Sequence, residues 1–92
     1  MSTDKIEPRL RREIEELERS GASTLTLSVI VEPAGTSTEP IRQRMTDMGV
    51  AAMDQLVLAT AIVADVTAPQ IRTLADDPAV KRIVWNATER VI

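Results

Sequence analysis

Residues 61–86 read AIVADVTAPQIRTLADDPAVKRIVWN, and this stretch decides the fold. Within its first six residues, Ala61 to Val66, the β-branched Ile62, Val63 and Val66 are of the kind a strand favours. Thr67-Ala68-Pro69-Gln70 then has the pattern of a capping box, with Thr at the N-cap, Gln three residues on and Pro inside the first turn. That pattern predicts a short helix carrying Ile71, Leu74 and Ala75 inward. Asp76-Asp77-Pro78 ends it, and the two carboxylates read as helix-end and turn chemistry rather than an acid–base dyad. Val80 to Asn86 is β-prone again. By strand parity Ile83 and Trp85 share one side, which assigns Trp85 to the core or its rim, while Val84 and Asn86 share the other.

Upstream, Val50 to Val66 is a long β-prone region without a strong turn dipeptide. It predicts two strands, about 50–57 and 60–66, joined tightly near Leu58. Before it, Thr38 to Met48 carries Ile41, Met45 and Met48 on one helical stripe, with Gly49 as the C-cap. Leu25 to Glu32 alternates: Leu25, Leu27, Val29 and Val31 on one side, Thr26, Ser28 and Ile30 on the other. Residues 33–37 form a loop. An amphipathic helix starts near Pro8, with Leu10, Ile14 and Leu17 as a narrow apolar stripe, and stops at Ser20-Gly21. Arg9–Glu13, Arg12–Glu16 and Glu15–Arg19 are opposite charges at i, i+4 along it. Residues 1–7 are polar and read as loose.

The order after the first helix is therefore β-α-β-β-α-β. Right-handed crossovers then give an α+β fold, a ferredoxin-like antiparallel sandwich with two helices on one sheet face and the other face uncovered. The chain divides into a polar segment and helix at 1–22, the sandwich at 23–86, and a tail at 87–92.

The 92 residues suffice for one core, and a single aromatic residue makes that core aliphatic. A net charge of −3 and the lack of stacking side chains argue against nucleic acid as a partner. The absence of Cys removes disulfides, thiolate metal sites and thiol nucleophiles. With no His, Cys or Tyr, no Gly-rich phosphate loop and no recognisable triad, the sequence does not read as an enzyme, and it implies no cofactor or metal. It shows no secretory signal and no apolar run long enough for a bilayer, so a cytoplasmic protein without membrane association is expected.

The residues VIVEP at 29–33 and ATAIVADVTAPQIRTLADDPAVKRI at 59–83 resemble the propeptides of subtilisin-like serine proteases and the related stand-alone inhibitors. The resemblance covers about residues 25–92. It rests on the small-residue strand Ile62–Val66, on Ile71 and Leu74 in the short helix, on the Asp77-Pro78-x-Val80 turn and on Ile83. It implies that the open sheet face docks on a subtilisin-like serine protease, with Ile30, Val84 and Asn86 as contact residues. It further implies that Glu89, Arg90, Val91 and Ile92 fill successive substrate subsites, Ile92 nearest the nucleophile as a cleaved-product mimic. The expected function is a propeptide-like protease inhibitor that also assists its partner's folding, monomeric when free. The other reading is a non-inhibitory ferredoxin-like interaction or dimerisation module. The first helix, outside the family's basic unit, either packs on the domain or makes a further contact through Leu10, Ile14 and Leu17.

Overall fold

Three helices lie on one face of a four-stranded antiparallel sheet in the computed structural model, which describes residues 3–22, 24–50, 53–55 and 60–86. In chain order the elements are α1 (Pro8–Arg19), β1 (Thr26–Pro33), α2 (Glu39–Asp47), β2 (Met53–Gln55), β3 (Ile62–Thr67), α3 (Ala68–Ala75) and β4 (Val80–Trp85). A 3₁₀ turn, Thr3–Lys5, precedes α1. The strands lie in the order β2-β3-β1-β4, so the first strand is central and the last is an edge.

Local chemistry accounts for most of the boundaries. Thr67 ends β3 and caps α3 at once: its hydroxyl accepts from Gln70 N–H at 3.4 Å, and its own N–H donates to the Gln70 side-chain oxygen at 2.9 Å. Two orphan donors are thereby satisfied without a connecting loop. At the C-terminus of α1, Ala22 N–H donates to Leu17 C=O (2.9 Å) and Gly21 N–H to Glu18 C=O (3.4 Å). α2 ends the same way, through Val50 N–H to Met45 C=O (3.0 Å) and Gly49 N–H to Thr46 C=O (3.1 Å). Each end needs one left-handed residue, supplied by Gly21 at φ 76° and Gly49 at φ 83°.

The core is one aliphatic cluster fed by every layer. Leu10 and Ile14 of α1, Ile41 and Met45 of α2, and Ile71 and Leu74 of α3 are fully buried against Val29, Val31, Ile62 and Ile83 of the sheet. The sequence stripes are thus seated as expected, with Leu17 and Met48 half-buried at the margins. Trp85 lies opposite Val29 and packs on the edge of the cluster, on the core side of the sheet.

Several expectations are corrected. Leu25 does not line the buried face; it is 56% exposed. β1 first pairs at Thr26 with Thr67, and β3 turns into α3 just beyond, so no strand remains opposite Leu25. Val50 belongs to the cap of α2 rather than to a strand, and β2 starts at Met53; the turn placed near Leu58 lies outside the described residues. Residues 3–7 are not a loose lead-in. Ile6 is 1% exposed and bridges Ile83 in parallel, and Lys5 Nζ donates to Asp77 C=O at 3.1 Å. On α1, Arg19 pairs with Glu16 at 3.2 Å, one turn position short of the expected Glu15.

Candidate protein-docking face

Antiparallel pairing places directly opposed residues on the same face. Asp54 opposes Val63, Val63 opposes Ile30, and Ile30 opposes Val84. These four residues form one row across all four strands, on the face away from the helices. Its three aliphatic members are half-buried and stand outside the core cluster. They are β-branched, which suits a pleated surface, and among the described residues no helix or strand covers this stiff apolar strip.

Polar rows flank the strip. On one side Ser28 opposes Asp65, and Asn86 continues the row from β4. Asn86 N–H donates to Ser28 C=O at 2.9 Å, and its side-chain amide donates to the Ser28 hydroxyl at 3.2 Å. On the other side Glu32 opposes Arg82, with Arg82 Nη2 2.8 Å and Nε 3.3 Å from the same carboxylate oxygen. That hydrogen-bonded carboxylate, and then its charge, hold the Arg82 guanidinium above its ordinary pKa, so the cation is fixed at all relevant pH. Asp54 and Asp65 are exposed, and their side chains make no hydrogen bond or ion pair among the described residues. Apart from the Glu32–Arg82 pair, the formal charges of these rows are thus acidic.

Ile30, Val84 and Asn86, singled out from the sequence, fall together on this face. Val63 joins them at the centre of the row. It was not named from the sequence, although the alternation Ile62-Val63-Ala64-Asp65-Val66 carries the signal: Ile62, Ala64 and Val66 are buried, and Val63 faces the other way. Glu89, Arg90, Val91 and Ile92 lie outside the described residues.

Of the two carboxylates after α3, that of Asp77 serves the backbone. Asp77 Oδ1 accepts from Ala79 N–H at 2.9 Å, and its other oxygen lies 3.6 Å from Arg44 Nε. Val80 N–H donates to Asp77 C=O at 3.0 Å, closing the turn that starts β4. Among the described residues no group of His, Cys, Asp and Glu is arranged to hold a metal ion, and no helix is long and apolar enough to cross a membrane.

No protein-family model, no curated protein and no solved structure matches the chain.

Proposed function

We propose that the chain is a propeptide-like inhibitor of a subtilisin-like serine protease, built on a ferredoxin-like sandwich and docking by its open sheet face. The observation that carries this reading is the row Val63–Ile30–Val84, an aliphatic strip on a sheet face that none of the described helices covers. A strip of this kind, ringed by polar residues, is the pattern of a protein-binding surface. The element order β-α-β-β-α-β with strands in the order β2-β3-β1-β4 supports the sandwich and the resemblance together. β4 contributes Val84 to the face, Asn86 follows just beyond its end, and the chain continues directly into residues 87–92. In the proposed complex that segment adds to the protease cleft as a strand, with main-chain hydrogen bonds supplying affinity and Glu89 to Ile92 supplying side chains to the subsites. The same docking would let the chain template its partner's folding.

The alternative of sheet-to-sheet association is less well supported at the β4 edge, because Ile6 and Glu7 occupy its outer side; the opposite edge of the sheet is β2.

The test is an inhibition and binding assay against a panel of subtilisin-like serine proteases. The full chain is expected to bind and inhibit at least one of them. A chain lacking Glu89–Ile92 should bind without inhibiting, and Val84→Asp should lose binding. Absence of binding to every protease in the panel overturns the proposal; inhibition that survives loss of the last four residues overturns the cleft-filling step.

A further inference from the structure

β4 is an edge strand, and its outer side would present unpaired N–H and C=O groups to any extended segment in reach. Two residues from the start of the chain lie along it. Ile6 bridges Ile83 in parallel, and Glu7 N–H donates to Ile83 C=O at 2.9 Å. A regular parallel ladder would next offer Glu7 C=O to Trp85 N–H. That carbonyl is already engaged: it accepts from Arg11 N–H at 2.8 Å and starts α1. Trp85 N–H instead donates to the Glu7 carboxylate at 3.2 Å. The Glu7 side chain therefore replaces its own carbonyl as the acceptor for the edge. This also accounts for an N-cap residue whose side chain makes no capping bond.

Pro8 sets the length of the device. Having no N–H and a φ suited to the first helical turn, it cannot extend the ladder and commits the chain to α1. Two contacts fasten the two-residue strand, Lys5 Nζ on Asp77 C=O just ahead of it and the burial of Ile6 in the core.

We infer that Ile6 and Glu7 form a surrogate outer strand that seals the β4 edge against a second copy of this chain. The inference concerns the edge and is independent of the docking proposed for the open face. An unsealed β4 offers Ile83 and Trp85 as pairing positions, and a two-fold related β4 is the complementary template always present in the same solution.

The decisive variant is Glu7→Pro. Glu7 has φ −52° and ψ 140°, values that proline adopts and that suit a residue before Pro8. The substitution removes the donor to Ile83 and the acceptor for Trp85 while leaving Ile6 in place. Sedimentation velocity over a concentration series should show the parent chain monomeric and Glu7→Pro self-associating at least about tenfold more tightly. Glu7→Gln, whose amide oxygen still accepts from Trp85, should behave as the parent. A cooperatively melting Glu7→Pro that stays monomeric at every concentration overturns the inference, and so does a parent chain that is already a tight dimer. If Glu7→Pro does not fold, amide hydrogen exchange in the parent decides. The Trp85 amide should exchange at least about tenfold slower than in an unstructured peptide, and exchange at the unstructured rate overturns the inference.

Discussion

Arg72 of α3 grips Glu18 of α1 through two parallel hydrogen bonds, Nε to Oε2 at 2.7 Å and Nη2 to Oε1 at 2.9 Å. The pair staples the one helix outside the β-α-β-β-α-β unit to the last helix within it. The hydrogen bond from Arg72 holds the Glu18 carboxyl below its ordinary pKa; slight burial opposes this, and the cation's charge adds to it. A carboxyl depressed in the folded state stabilises fully above its unfolded value, roughly pH 4.3, and that contribution is lost as pH falls through the lower folded value. Both side chains are more than a third exposed, so solvent screens the pair. A double-mutant cycle with Glu18→Gln and Arg72→Gln should give a coupling of about 0.5 kcal/mol at pH 7. The coupling should shrink below pH 4 and in high salt.

Leu10 tests whether α1 is part of the core or an accessory. It is fully buried in the same cluster as Val29 and Ile83. Leu10→Ala should destabilise the domain by about 2–5 kcal/mol, the range for removing a buried leucine side chain. Denaturant unfolding measures this directly, and a loss below 1 kcal/mol would show that α1 is dispensable to the core.

Thr67 serves as strand end and helix cap together. Thr67→Ala should cost about 1 kcal/mol by removing the acceptor for Gln70 N–H. Thr67→Ser keeps the hydroxyl and should recover most of that difference in thermal melts.

Asp77 separates turn geometry from charge. Asp77→Asn retains an oxygen for Ala79 N–H and gives up only the loose contact with Arg44. Asp77→Ala loses both. The alanine variant should be the less stable by about 1 kcal/mol, and equal melting curves would show that the turn does not need the side-chain acceptor.

Features that depend on near neighbours could be read from the sequence. The Thr67–Gln70 box, the stripes of α1 and α3, and the glycines ending α1 and α2 each arise within a few residues. The parity of β1 and β4 likewise placed Ile30, Val84 and Asn86 on a common face. Leu25 fits the same alternation, yet its exposure depends on where β3 bends into α3, which β1 does not encode. Ile6 and Glu7 were hidden for a related reason. A single isoleucine in a polar lead-in gives no period, and a glutamate standing in for a backbone carbonyl has no sequence signature. Only the register of β4, far along the chain, gives those two residues their places.

That separation bears on the order in which the protein consolidates. Glu7 and Trp85 are 78 positions apart, and Ile6 meets Ile83 across nearly the same span. During synthesis α1 is complete long before β4 leaves the ribosome. A 12-residue helix is marginal alone, so Ile6, Leu10 and Ile14 lack their lasting neighbours during that interval. Closure of this domain is therefore a late event, governed by the arrival of its final strand, and contacts of such long range slow it further. Pulse-labelled hydrogen exchange during refolding should show α1 gaining full protection together with β4 and not before.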